Sequence, residues 1–289
     1  MPEKIKSEKL KYYAMLARVH KPLIYFLLIW PTLWALWLAA NGQPSAKIVG
    51  IFIIGALLMR SAGCVLNDII DREFDKKVTR TRNRPLAAKK IKVKEAFCVL
   101  IILLSLAGSL LFFLHRLTIF YALIGLIITS IYPFLKRITY LPQLGLGIAF
   151  SWGIPMAFAE EMGRVPLDAW LLFTVAVIWP VIYDTIYALA DEKDDRKIGI
   201  KSTAILFGRW QREMIGLLQI IFLLLLSAIG VIFQLNLFYF SSLLISAFLF
   251  SYQQKLITQG DSATYFKAFV HNHWVGLVIF VGILLSYPK

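Results

Sequence analysis

The chain has 289 residues, 59% of them hydrophobic and 17% charged, with a formal net charge of +14 and a mean hydropathy of +0.70. Soluble domains carry about 45–50% apolar and about 25% charged residues, so an ordinary soluble domain is excluded, as are a disordered chain, a coiled coil, a collagen and a secreted disulfide scaffold. The composition predicts an all-α, polytopic integral membrane protein. It reads as a single membrane-embedded domain over 1–289, with 1–22 as a charged cytoplasmic N-terminal segment.

The apolar run after Pro22 is long and lacks a small-residue cleavage site, which fits a first spanning helix better than a removable signal peptide. A spanning helix needs about 20 mostly apolar residues. Nine stretches meet or approach that: 23–40, 48–66, 95–114, 117–135, 141–159, 167–187, 213–233, 235–252 and 268–287. Eight is the alternative, because the fourth and fifth, and the seventh and eighth, adjoin closely. Turn residues separate others, as in 41–44 and 163–166. Cys64 and Cys98 each lie in an apolar run and read as free, packed thiols.

Of the 31 Lys and Arg residues, 26 fall in the N-terminal segment and the connectors after spans two, four, six and eight. The other side holds only Lys47, Arg116, Arg164 and Lys289, and Arg60 lies inside a span. The positive-inside rule therefore places the N-terminus and the even-numbered connectors in the cytoplasm. The basic excess is a topology signal first and a patch for anionic lipid headgroups second. The basic residues so explained give no reason to invoke nucleic-acid binding.

Nine of the 17 acidic residues fall in two short windows, 67–75 at the end of span two and 184–195 at the end of span six. Asn67, Asp71 and Asp75 recur every four residues; Asp184, Tyr187, Asp191 and Asp195 recur at three or four. Both spacings align side chains on one helix face. Like charges so arranged at a membrane edge need cationic compensation. Neighbouring Lys and Arg would supply it at a merely solvated helix end. Two matched clusters at one depth point further, to Mg²⁺, which takes one or two carboxylates together with substrate phosphates. The candidate metal ligands are Asn67, Asp71, Asp75, Asp191 and Asp195.

Basic residues surround these carboxylates, among them Arg72, Arg80 and Lys201 as diphosphate-binding candidates. Span four ends at the same surface with Tyr132 and Lys136 one turn apart, followed by Arg137. Metal with Lys and Arg is a common means of neutralising charge on phosphate oxygens. The pattern indicates a diphosphate, and the apolar helices around it indicate a lipid tail. Lys136 suits the diphosphate as a compact point charge. Arg137, whose planar fork can grip both oxygens of a carboxylate, is the candidate for an aromatic acceptor. A coarse repeat also shows: spans one to four and five to eight each place an acidic cluster after the second helix and Tyr with Lys after the fourth (Tyr132 and Lys136, Tyr252 and Lys255). By residues alone, a divalent-cation or lipid-phosphate transporter and a membrane scaffold stay open.

At N-D-x-x-D-x-x-x-D (67–75), R-T-x-N-R-P-L (80–86), Y-P-F-x-K-R (132–137), Y-D-T-x-Y-A (183–188), D-x-x-D-D (191–195) and G-I-K-S-T-A-I-L-F-G (199–208), the sequence resembles the UbiA-type membrane prenyltransferases. W-P-T-L-W-A-L-W (30–37) and M-R-x-A-G-C-V-x-N-D (59–68) extend the likeness over nearly the whole chain. It is nearest to the branch that acts on 4-hydroxybenzoate in ubiquinone synthesis. The resemblance implies Mg²⁺ as cofactor and a polyprenyl diphosphate and 4-hydroxybenzoate as substrates, with transfer to the ring carbon ortho to the hydroxyl. It also implies Asp71, Asp191, Asp195, Lys136 and Tyr132 as catalytic residues, and the bacterial inner membrane as location, with the active site facing the cytoplasm. One departure is at 18–24: relatives often read R-x-D-K-P-x-G, whereas His20 and Ile24 stand here, so no role is assigned to His20.

Weaker signals remain. Arg60 lies seven residues before Asn67, on roughly the same face, and is a candidate either for pairing with a carboxylate or for diphosphate contact. His271 and His273, two apart, do not share a helix face and make no zinc site. Trp30, Trp34 and Trp37 read as interfacial belt or packing, although aromatic rings near the clusters would suit an allylic cation.

Overall fold

The structure, a computed structural model, describes residues 2–20 and 22–287. Lys21 and Lys289, both counted in the charge asymmetry, lie outside the described residues. In chain order the helices are α1 (Pro2–Leu16), α2 (Phe26–Ala39), α3 (Ala46–Asp75), α4 (Val93–Leu110), α5 (Arg116–Ile131), α6 (Leu135–Ile138) and α7 (Pro142–Ser151). There follow α8 (Gly153–Met162), α9 (Leu167–Leu189), α10 (Glu192–Ile198), α11 (Thr203–Phe207), α12 (Gln211–Ile232), α13 (Leu237–Gln259) and α14 (Ser262–Ser286). Among the described residues every regular element is helical, as the composition predicts.

All nine expected stretches fall on helix, but the count of nine spans does not follow. Six segments are long and apolar enough to cross a membrane unaided: Ala46–Asp75, Val93–Phe113, Arg116–Ile138, Leu167–Leu189, Thr203–Ile232 and Ser262–Ser286. The other three differ for physical reasons. The first is short, apolar over Leu23–Ala39 only. The fifth stretch is two ten-residue helices, α7 and α8, that meet at Trp152. The eighth, α13, is diluted by Tyr252, Gln253, Gln254 and Lys255 in its last third.

The main core gathers α2, α8, α9, α12, α13 and α14 around Trp34, Trp179, Phe158, Phe222 and Tyr239, all buried. α14 closes the two halves of the repeat, packing on α2 from the first and on α9 and α13 from the second. That approach requires Gly276: a β-carbon there would collide with the Trp30 and Trp179 rings, and the Gly276 carbonyl accepts the Trp34 indole N–H at 3.1 Å. A second, smaller cluster joins Leu16 to α3, α4 and the segment between them through Val65, Ile69, Leu86 and Ala96. Pro31 and Pro180 interrupt α2 and α9 internally, a break that helices in a bundle tolerate because neighbours satisfy the freed carbonyl.

Candidate active site

The two acidic windows meet at one end of the bundle, around a cavity of about 300 Å³. The first is carried by the last three turns of α3, a continuous helix, so Asn67, Asp71 and Asp75 keep the shared face that their spacing predicts. The second departs from expectation. α9 stops at Leu189, Asp191 takes the N-cap position of α10, and Gly199, at φ +74°, ends α10. Asp184 and Tyr187 therefore sit on α9, and Asp191 and Asp195 on a separate short helix. All four still line the cavity.

Four of the cavity carboxylates, Asp68, Asp71, Asp75 and Asp191, are met by a base. Asp71 pairs with Lys136 of α6 and lies 3.6 Å from Arg137. Arg80, from the segment between α3 and α4, donates through Nε to both oxygens of Asp191 at 2.9 and 3.0 Å and through Nη1 to the Tyr187 hydroxyl. Arg84 of the same segment donates to Asp75 at 2.9 and 3.1 Å and to Asp68 at 3.1 Å. Asp68 also accepts from Arg18 at 2.6 Å. Burial pulls the Arg84 guanidinium down, but Asp68 and Asp75 outweigh it and hold it above its ordinary value. Burial first, and then the Asp191 carboxylate, push Asp195 up to about 7 against the pull of Lys136 and Arg80.

The cavity wall carries six acidic residues, Asp68, Asp71, Asp75, Asp184, Asp191 and Asp195, and six basic ones, Arg18, Arg60, Arg80, Arg84, Lys136 and Lys201. A polar site so balanced has no spare positive charge. Among the described residues, seven buried side-chain polar atoms lack a hydrogen-bond partner, and four of them line this one cavity: Arg60 Nε, Asp68 Oδ2, Asp71 Oδ1 and the Tyr183 hydroxyl. Buried polar groups are rarely left unpaired, so their concentration here marks a place that expects a ligand.

Two expected residues are not at the wall. Arg72 points away and lies 3.5 Å from exposed Glu73. Arg137 donates to the Ile70 carbonyl at 2.9 Å and rests over the Phe74 and Phe134 rings. Lys201 lines the cavity at its lip, its Nζ donating to the Ile138 carbonyl at 2.9 Å. Arg18, Asp68 and Arg84 were missed as site residues. The signal was present in the acidic window itself: Asp68 lies three residues before Asp71 and seven before Asp75, a spacing that puts it on their helix face. Arg60 lies at the inner wall between the Tyr25 and Phe150 rings, 5.5 and 5.4 Å from their centres.

Residues 28–278 match the UbiA prenyltransferase family. The chain belongs to that family. It is 52% identical over 280 residues to the 4-hydroxybenzoate octaprenyltransferase of Coxiella burnetii (strain CbuK_Q154), covering 97% of this chain and 98% of that one. The fold is that of a UbiA homolog from Aeropyrum pernix K1, with a TM-score of 0.79 at 21% identity over 92% of this chain and 99% of that one. It is also that of a UbiA homolog from Archaeoglobus fulgidus whose structure holds GPP and Mg²⁺, with a TM-score of 0.69 at 16% identity over 94% and 99%.

Proposed function

We propose that this UbiA-family prenyltransferase moves a polyprenyl group from its diphosphate to the ring carbon of 4-hydroxybenzoate ortho to the hydroxyl, in ubiquinone biosynthesis. The observation that carries the reading is the cavity with matched acids and bases and four orphaned polar atoms. The Coxiella relative's name supplies the acceptor. The same reading makes the chain a single membrane-embedded domain of the bacterial inner membrane, with the cavity facing the cytoplasm, as the distribution of Lys and Arg supports.

The fit to Mg²⁺ can be tested on the donor set. Among the described residues no three His, Cys, Asp or Glu side chains form a cluster sufficient to hold an ion alone. Mg²⁺ does not need one, since it takes one or two carboxylates and completes its shell with waters and phosphate oxygens. The donors are hard oxygens, and Asp71 Oδ1 accepts no hydrogen bond among the described residues. The charge balance agrees: a diphosphate adds negative charge to a wall that has no surplus of base. Asn67, Asp71 and Asp75 on one side and Asp191 and Asp195 on the other would hold the metal. When bound, Mg²⁺ supplies charge neutralisation and Lewis acidity toward the departing diphosphate.

The protein's own residues do the rest. Lys136, Arg80, Arg84 and Lys201 bind the diphosphate oxygens and favour charge developing as the C1–O bond breaks. Tyr132, Tyr183, Tyr187 and Phe269 surround the allylic carbon with ring faces that stabilise a cation. Arg60, rather than the outward-turned Arg137, holds the acceptor's carboxylate, because its fork is at the inner wall and its Nε is unpaired. The ring carbon then bonds to C1 and loses its proton. A second, apolar cavity of about 210 Å³ is lined from the same helices. Leu27, Arg60 and Phe150 line one, and their sequence neighbours Leu28, Met59 and Ala149 line the other. It receives the prenyl chain and keeps water from the cation.

The test is purified protein with Mg²⁺, a polyprenyl diphosphate and 4-hydroxybenzoate. The expected product is the acid prenylated ortho to its hydroxyl. Absence of product with every phenolic acceptor tried overturns the reading.

A further inference from the structure

Four non-glycine residues have a positive φ among the described residues, and only one of them, Arg18 at +60°, lines the cavity. That backbone conformation is unfavourable for a residue with a β-carbon and persists only where its surroundings hold it. They do. The Tyr25 hydroxyl donates to the Ala17 carbonyl at 2.7 Å and pairs with Ser61 of α3 at 2.9 Å, clamping the turn after α1 onto α3. Arg18 Nη1 donates to the Met15 carbonyl at 2.9 Å, and Nη2 to Asp68 Oδ1 at 2.6 Å. Asp68 is 1% exposed, and the same oxygen accepts from Arg84 Nη1, which continues to Asp75.

We infer that Arg18 is a positioning residue for the prenyl donor, acting through Asp68 to fix where Arg84 presents its guanidinium. The inference rests on the proposed reading of the cavity as the diphosphate site. Among the described residues all the hydrogen bonds of Arg84 are made by Nη1, which leaves Nε and Nη2 for a ligand of the cavity. Arg18 and Arg84 are the two bases on Asp68. With Arg18 gone, the buried Asp68 charge falls on Arg84 alone, draws its guanidinium toward α3 and weakens its hold on an anion. The run Arg18–Asp68–Arg84–Asp75 is electrically neutral with Arg18 and carries a net negative charge without it. A diphosphate meets that difference directly, and an acceptor bound at Arg60 meets it far less.

The experiment uses full-length enzyme and varies each substrate separately. Arg18→Gly removes the side chain while keeping a residue that accepts φ +60° without strain, so loss of fold does not obscure the result. The expected outcome is a KM for polyprenyl diphosphate raised about tenfold, the scale of one charge-assisted hydrogen bond, with an unchanged KM for 4-hydroxybenzoate and a wild-type circular dichroism spectrum. Arg18→Lys, which keeps the charge against Asp68, recovers most of the loss. In an Asp68→Asn background, Arg18→Gly adds little. Equal rises in both KM values, no advantage of Lys over Gly, or full additivity with Asp68→Asn each overturn the inference. Wild-type turnover with a normal donor KM in Arg18→Gly sinks this inference alone, whereas a wild type inactive toward all phenolic acceptors sinks the proposed function.

Discussion

The two acidic clusters look alike in sequence and are built differently. The α3 cluster sits on an unbroken 30-residue helix, and Asp68, Asp71 and Asp75 are each under 10% exposed. Its partners come from the turn after α1, from the segment before α4 and from α6. The second cluster spans a helix break; Asp191, its side chain 13% exposed, is met by Arg80, and Asp194 accepts the Thr79 N–H at 3.2 Å. The first cluster is part of what holds this end of the bundle together. The second sits partly on a short, more open helix, α10, whose Asp191 and Asp195 line the cavity. Charges that are buried and cross-linked carry both fold and chemistry, whereas less buried ones are freer to serve chemistry alone.

The comparison can be broken most severely by removing metal. Chelation should abolish prenyl transfer reversibly while far-ultraviolet circular dichroism stays helical; full turnover after exhaustive chelation would falsify the metal assignment. Next come Asp71→Asn, Asp191→Asn and Asp195→Asn, each expected to reduce turnover by at least about 10²-fold, the scale for losing a group that acts on transition-state charge. Their stabilities should differ. Asp71→Asn leaves Lys136 without its carboxylate partner and should lower Tm, since breaking a buried pair costs on the order of 3–5 kcal/mol. Asp191→Asn should leave Tm close to wild type. Equal Tm losses in the two variants would show that the clusters are not built differently after all.

Lys136 and Arg60 separate the two substrates. Lys136→Ala should raise the donor KM, and Arg60→Leu should raise the acceptor KM and erase the preference for phenols bearing a carboxylate, each by about tenfold or more. Arg137→Ala should then have the smaller effect on acceptor KM. If Arg137→Ala costs the acceptor more than Arg60→Leu does, the carboxylate belongs to Arg137, as the sequence suggested.

Spacing was enough to predict that Asn67, Asp71 and Asp75 share a face, because a continuous helix preserves a four-residue repeat. It was not enough for Asp184–Asp195, where the same repeat runs across the break between Leu189 of α9 and the N-cap Asp191 of α10, which the spacing does not mark. Lys136 and Arg137 were separable by the 100° between consecutive helical residues, but which of them faces the cavity depends on how α6 docks, a tertiary fact. Arg18 was invisible as a site residue, since it reaches Asp68 across 50 positions of chain from a left-handed turn. The apolar stretches were all legible as helix, while their number as spans was not. Hydropathy does not distinguish one kinked span from the two short helices α7 and α8.

The mildest test lies on α9 itself, which carries an acid near each end. Asp184 faces the cavity, while Asp168 is in the first turn, 16 residues earlier. At about 1.5 Å per residue the two are about 24 Å apart along the helix. A carboxylate in the first turn interacts favourably with the helix dipole, worth about 0.3–1 kcal/mol at a surface. Asp168→Asn should therefore shave Tm slightly and leave both KM values and turnover at wild-type levels. Asp184→Asn, made in parallel, should impair turnover. A loss in Asp168→Asn as large as that in Asp184→Asn would mean that the chemistry is not confined to the end of the bundle where α3, α6 and α10 meet.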